Sequence, residues 1–291
     1  INFVSILANA NDQGFSLEFQ DIFANPTVEK LVEISKSNNP KERIQLPPFS
    51  LISEEDKSKL PSDAVDAYPM TQLQSGLIYQ CNIMDGDNNY HDIVTYTING
   101  SIDIEIFKKC VEQLVDAQPI FRTTYNLKDY SENLQIVHKQ VDELPISIFD
   151  LRGYNSEKEK NDAYERWFKE EESKPFNWGK TGLVKLYIHI MNDEQYKYSI
   201  GQHNSALDGW SLNKVHTFLF DKYFEMKDGI KSDVKITDNS HNKHFIYLEK
   251  QAINSDEQKN YWQEKLKGSS YFEIPRSHQK KYSNKVIFKD I

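Results

Sequence analysis

An α/β or α+β fold with a mixed sheet is predicted for this sequence of 291 residues, and three observations predict it. From Val65 onward, helical and strand-like segments interleave without a strict βαβ rhythm. Over 104–117, Ile104, Phe107, Cys110, Val111 and Leu114 fall on one helical stripe. Two β-rich runs, 183–190 and 196–202, flank an Asn192-Asp193 turn. An apolar fraction of 38%, with 16 Tyr, 16 Phe and 4 Trp, supplies a core and excludes disorder over most of the chain. The length suits roughly two domains of about 150 residues.

The first 35 residues read as helical. Phe3, Ile6, Leu7 and Ala10 recur at helical spacing, with Gly14 as a stop. Val28, Leu31, Val32 and Ile34 share a later face, and Pro26 suits the start of that helix, where its missing N–H would have no partner. Two helices in so short a stretch cannot bury a core alone, so part of this unit is expected before residue 1. Residues 37–61 are polar and spaced by prolines, the composition of an extended linker. Within it Phe49, Leu51 and Ile52 are expected to lie along the next domain, and Ser53-Glu-Glu-Asp to form one capped helical turn. A helix over 70–84 (Leu73, Leu77, Ile78, Cys81) precedes a strand over 91–98 and a turn at Asn99-Gly100. After the 104–117 helix come a short strand at 135–138 and an apolar run at 146–149. A highly charged helix over 157–174 buries Ala163, Tyr164, Trp167 and Phe168. Beyond the two strands, helices are predicted over 212–226 and, around Trp262, over 249–266.

Composition also excludes functions. Lys plus Arg is 35 against 44 Asp plus Glu, a net charge of -9, which offers no broad basic surface to nucleic acid or anionic lipid. No apolar run reaches the roughly 18 residues that span a bilayer. Two cysteines, Cys81 and Cys110, sit in periodic segments, so a disulfide framework is excluded and a cytoplasmic setting is expected. The chain opens on Ile1 without a charged-then-apolar leader and is expected to be part of a longer protein. Gly179-Lys180-Thr181 lacks the upstream glycine of a phosphate-binding loop, since Lys174 occupies that position. His241 and His244 have no carboxylate or cysteine at metal spacing, so no metal site is predicted.

The segment that points to chemistry is His203-Asn204-Ser205-Ala206-Leu207-Asp208-Gly209, a strand-to-helix connection. Asp208 is expected to be partly buried and therefore paired, with Arg122 of IFRTTY as its partner. Gly209 suggests a place where a side chain would block the turn or a ligand. Against this stands the plainer reading that His203 is a core histidine and Asp208 a helix cap; on these residues alone the two weigh equally.

Taken together, the order of segments resembles the carrier-to-condensation junction of a nonribosomal peptide synthetase. HNSALDGWS resembles that family's H-H-x-x-x-D-G motif, with Asn204 where the second histidine usually stands. AYPMTQLQSGLIYQ resembles the opening helix motif, and PIFRTTY the R-H-x-x-L-R-T-x-F element, with Arg122 as the matching arginine. PFNWGKTGLVKL and EKQAINSDEQKNYWQEKL resemble later stretches of the same half. LPPFSLISEEDKSKLP is similar to the connection that follows a carrier, and the first residues to the carrier's last helices, in the F-x-x-P-T-V-x-x-L style.

The resemblance implies a carrier C-terminal part at 1–36, a linker at 37–62 and the N-terminal lobe of a condensation domain at 63–291, the second lobe following Ile291. The implied fold is a chloramphenicol acetyltransferase-like lobe with a mixed sheet, preceded by helices of a carrier bundle. The implied activity joins an upstream carrier-bound aminoacyl or peptidyl thioester to a downstream carrier-bound amine, forming a peptide bond in the biosynthesis of antibiotics and other secondary metabolites. The implied site is His203, Asn204, Asp208 and Gly209, with Arg122 as structural support and the His203 ring turned to the fold. The implied cofactor is 4'-phosphopantetheine on the carrier domains, its serine just before Ile1. Partners are the upstream and downstream carriers and other modules of the same synthetase. The absence of an epimerising segment between carrier and condensation parts leans the donor to the L configuration.

Asn204 is the chief departure, because an amide cannot take a proton at neutral pH. The alternative is therefore a non-catalytic or deliberately inactivated condensation domain that serves as a carrier-docking scaffold. A stand-alone acetyltransferase would share the fold but not the carrier remnant and linker.

Overall fold

In a computed structural model of the chain, residues 6–7, 9–11, 13–37, 46–83, 90–230 and 241–269 are described. The chain divides into two compact units, Ile1–Ile246 and Tyr247–Ile291. The first unit opens with α1 (Phe19–Ala24) and α2 (Val28–Ser37), after a helical stretch that ends at Gly14, whose φ of 88° suits a residue without a Cβ. The start of the first predicted helix, at 1–5, lies outside the described residues. α1 lies between the two helices that the residue spacing predicts in this stretch. Six residues are too few for a readable period, and its N-terminus is closed instead by a reciprocal Glu18–Asp21 capping box.

The predicted turn in the linker is α3 (Glu54–Ser58), with the Ser53 hydroxyl accepting from Asp56 N at 3.1 Å. Asp56 is itself buried and accepts from the backbone and hydroxyl of Ser131. Phe49 and Ile52 pack on Ala67, Leu134 and Ile136, while Leu51 packs on Tyr68 and Val137. Phe49 holds a left-handed φ of 64°, and its N–H donates to Asp66 Oδ1 at 2.7 Å. Lys243 closes this clamp, donating to Asp66 Oδ2 and to the Pro47 carbonyl, both at 2.7 Å.

Two sheets follow where the sequence predicted one. The smaller is antiparallel in the order β1-β4-β3, from Ala64–Pro69, Leu134–His138 and Thr123–Asn126. The larger has the order β2-β7-β6-β5, from His91–Asn99, Gln195–His203, Val184–Asn192 and Ile146–Asp150. It is mixed, since β5 runs parallel to β6 and the other pairs are antiparallel. The parallel pair needs a crossover, and α6 (Glu157–Glu172) supplies it. The remaining helices of this unit are α4 (Gln72–Ile83), α5 (Ile104–Ala117) and α7 (Gly209–Asp228), with a 3-10 turn at Pro119–Arg122.

Strand alternation then builds the layers. Tyr196, Tyr198 and Ile200 of β7 and Val184, Leu186 and Ile188 of β6 join Phe107, Cys110 and Leu114 of α5 and Val215, Phe218 and Leu219 of α7 in the main core. The opposite face carries Tyr187 and His189 beneath α6. α5 is capped by Asp103, which accepts from Glu105 N and Ile106 N, both at 3.0 Å. Asp103→Ala is expected to cost about 1 kcal/mol, read as a lower urea midpoint at unchanged slope.

His189 lies stacked on Phe149 at 4.6 Å and 4.2 Å from the Trp167 ring centroid, and neither ring nitrogen has a hydrogen-bond partner. Burial, followed by the Lys197 charge, pushes its pKa down to about 4. The unfolded chain, with histidine near 6.5, therefore binds more protons between those values. Stability contributed by neutral His189 is present above pH 6.5 and lost as pH falls toward 4. Urea midpoints measured from pH 7 to pH 4 should fall, and His189→Phe should flatten that fall.

In the second unit the predicted single helix is two. α8 (His241–Ile253), which begins in the first unit, ends ahead of Ser255, whose hydroxyl accepts from Gln258 N at 3.2 Å and starts α9 (Asp256–Lys265). Asp256 and Glu257 in the first turn suit that start. No helix among the described residues is long and apolar enough to cross a membrane.

Candidate active site

β7, held between β2 and β6, ends at His203, and α7 begins at Gly209, so residues 204–208 form the expected strand-to-helix turn. The His203 ring is buried and packed edge-on against Trp178 and Phe176, at 4.9 and 5.2 Å between centroids. Its Nδ1 accepts from Ser205 N at 3.1 Å and lies 2.6 Å from Ser205 Oγ. A backbone N–H can only donate, so Nδ1 is the bare nitrogen and Nε2 carries the proton, facing Cys81 Sγ at 3.3 Å. Burial, aided by the neighbouring His91, pushes the His203 pKa down to about 4. The ring is neutral at pH 7 and serves the fold.

Asn204 points elsewhere. Its N–H donates to the Tyr90 carbonyl at 3.0 Å, and the half-buried residue lines a groove of about 500 Å3 that His203 does not touch. Its side-chain amide makes no hydrogen bond among the described residues. Helix α4 forms one wall of the groove, the 3-10 turn another, and the first turns of α7 a third. The turn is pinned from two sides, because the Ser205 carbonyl accepts from Gln74 Nε2 at 2.9 Å and from Tyr125 OH at 3.0 Å. Gln74 exchanges amide hydrogen bonds with buried Gln135 and accepts from Thr71 N at 2.9 Å. Burial holds the Tyr125 phenol up at about 12, so it is a proton donor across the neutral range.

The expected Arg122–Asp208 ion pair is absent. Arg122 donates from Nε to Val115 O at 3.0 Å and from Nη1 to His138 O at 2.6 Å, with longer contacts to the Asp116 and Lys139 carbonyls. Two of these are orphan carbonyls at the C-terminus of α5, where a cation is favoured. Asp208 is exposed and caps α7, its Oδ1 accepting from Ser211 N at 2.7 Å. Partial burial pushes its carboxyl up, and hydrogen bonds from the Ser211 backbone and hydroxyl outweigh that, leaving it below the usual carboxylate range. Each charge thus meets a helix end rather than its expected partner. Gly209 likewise has open space where a Cβ would stand, so neither the turn nor a packed neighbour requires glycine there.

The predicted site residues did not include Ser205, Tyr125, Gln74 or Cys81. Gln74 and Cys81 lie in the AYPMTQLQSGLIYQ helix and its continuation, and Tyr125 closes IFRTTY, so their segments were visible while their contacts were not.

Comparison with known proteins gives the family and the fold. Residues 64–289 match the family model of the condensation domain. The chain is 25% identical over 283 residues to AMB antimetabolite synthetase AmbE of Pseudomonas aeruginosa, covering 94% of this chain and 13% of that protein. It is 27% identical over 210 residues to bacitracin synthase 1 of Bacillus licheniformis, covering 72% of this chain and 4% of that one. The chain thus spans a small part of the curated relatives it matches. Among solved structures, the starter condensation domain of rhizomide synthetase RzmA superposes with a TM-score of 0.60 at 14% identity, over 70% of this chain and 48% of that one. The first condensation domain of the CDA synthetase gives 0.57 at 13% identity, over 70% and 51%. At such identity these two speak for the fold.

Proposed function

The chain belongs to the condensation-domain family, and from that premise we propose that it forms peptide bonds in nonribosomal peptide synthesis. The donor is an aminoacyl or peptidyl thioester on an upstream carrier, and the acceptor an amine on a downstream carrier. The observation that carries this reading is the groove beside Asn204. Amide side chains of Gln74, Gln118 and Asn204 line it together with Leu77, Ile120 and Phe218. That mixture suits a 4'-phosphopantetheine arm, which alternates amides with short apolar links. Bound there, the arm supplies an already activated thioester. Asn204 can accept one hydrogen bond from the incoming amine and donate another to an oxygen that gains charge, but it removes no proton. Holding both tethered reactants together then supplies most of the acceleration. Gln74 and Tyr125 fix the backbone on which Asn204 rides, and Arg122 braces α5 against β4 beneath the groove wall.

The division proposed with this function keeps residues 1–36 as the end of a carrier domain, 37–62 as linker and 63–291 as the condensation part. The helices α1 and α2 support the first of these. His203 and Asp208 enter as the frame of the turn and Gly209 as the first residue of α7, with Asn204 as the group that meets substrate. Cytoplasmic residence is part of the same proposal, supported by Cys81 and Cys110 standing as free thiols. The test uses the intact synthetase with both flanking carriers charged, and reads the downstream carrier by intact mass. Transfer of the donor acyl group is the expected result. An upstream carrier that binds but never transfers would instead establish the docking scaffold.

A further inference from the structure

We propose that the first unit holds a second pocket, separate from the groove, that binds a phosphate dianion. A cavity of about 160 Å3 opens beside the start of β6 and the end of β7 and shares no lining residue with the groove. Its floor is Gly201, in the middle strand pair of the larger sheet. A Cβ there would stand 3.3 Å from Tyr187 Cε2 and 3.5 Å from His91 Nε2. Gly201 has no left-handed φ to explain it; the close approach of the Tyr187 and His91 rings to its backbone does.

The charges select the ligand. Lys174, Lys180 and Lys185 line the cavity around one carboxylate, Glu171. Glu171 is buried and already satisfied, by Lys174 at 2.7 Å, the Tyr187 hydroxyl at 2.6 Å and, more loosely, Lys185 at 3.8 Å. Three ammonium groups and one carboxylate thus line the cavity, in a chain whose net charge is -9. Lys180 enters no ion pair among the described residues. His91 stands on the wall as well, but burial pushes its pKa down and its ring already meets the Glu172 backbone, so the charge that an anion meets comes from the lysines. Lysines without an arginine fork suit a tetrahedral phosphate, which takes point charges, better than a planar carboxylate. The wall is also wired to the turn. Phe176 lies 4.7 Å from the His91 ring and 5.2 Å from the His203 ring.

The dianion can come from free phosphate or from the phosphomonoester of free 4'-phosphopantetheine, whereas on a carrier serine the same phosphate is a diester with a single charge. Calorimetric titration of the whole chain with inorganic phosphate, 4'-phosphopantetheine and acetate separates the cases. Saturable binding of phosphate is expected, weakened at least tenfold in Lys180→Ala/Lys185→Ala at unchanged Tm. Tenfold tighter binding of 4'-phosphopantetheine assigns the pocket to that free phosphomonoester, and equal binding assigns it to phosphate alone; both support the site. Should the double variant not fold, Lys180→Ala alone, at an exposed position, is expected to weaken binding about threefold. Absence of saturable phosphate binding, equal binding of acetate, or variants that bind as the parent does would overturn the proposal. None of these readouts involves acyl transfer, so the pocket and the proposed activity stand or fall separately.

Discussion

Asn204→His is expected to raise the rate of peptide-bond formation by about 100- to 10,000-fold, the range that a positioned general base supplies. The backbone of residue 204 is fixed by its bond to the Tyr90 carbonyl, and the Ser205 carbonyl beside it by Gln74 and Tyr125. A histidine placed there would enter the same groove, half-exposed, unlike the buried ring of His203 that burial holds neutral. The measurement is single-turnover transfer between charged carriers at pH 7, compared with the parent chain. The gain should fade below pH 6, where an imidazole of ordinary pKa is protonated and no longer a base. An unchanged rate with unchanged carrier binding would mean that positioning alone does the work and that no base is wanted at 204.

Lys243→Met is expected to lower the stability of the first unit by about 3 kcal/mol. Lys243 is buried and its ammonium is shared between Asp66 and the Pro47 carbonyl. Removing it strands a mostly buried carboxylate, the situation in which breaking a buried pair costs about 3–5 kcal/mol. The lower end applies because the Asp66 side chain is still 20% exposed and keeps the Phe49 and Ala67 N–H groups. Urea unfolding of Lys243→Met, Asp66→Ala and the double variant tests this. The double variant should recover part of the loss, because it leaves no lone charge. A loss under about 1 kcal/mol in Lys243→Met would show the pair to be a surface interaction in energetic terms.

Much of the large sheet and its helices could be read from residues alone because each carries a long period or a cap. The α5 stripe from Ile104 to Leu114, the Ser53 cap and the β6–β7 turn are local features that the chain writes in consecutive residues. The shortest elements could not be read. β3 has four residues, too few for an alternation to show, and the break between α8 and α9 rests on one serine cap. At the site, the turn was legible and its electrostatics were not. Arg122 was expected to seek a carboxylate, and it found main-chain carbonyls instead, which no side-chain pattern advertises. The contacts that fix the turn join Gln74 to Ser205 over 131 residues and Cys81 to His203 over 122. Such distances leave no trace in a local window.

The strand that carries the turn also fixes when the turn can exist. β7 meets β6 through a tight local hairpin, but its other neighbour is β2, where Thr95 and Ser199 hydrogen-bond across 104 residues of sequence. In that ladder the Asn99–Gln195 rung lies beside the hairpin, and the His91–His203 rung is the farthest from it. Loop-closure entropy makes such distant pairing slow, so zipping is expected to run from the hairpin outward. The chemistry-bearing end of β7 is then among the last parts of the sheet to be laid down. A nascent or partly folded chain would hold a finished hairpin well before it holds a working site.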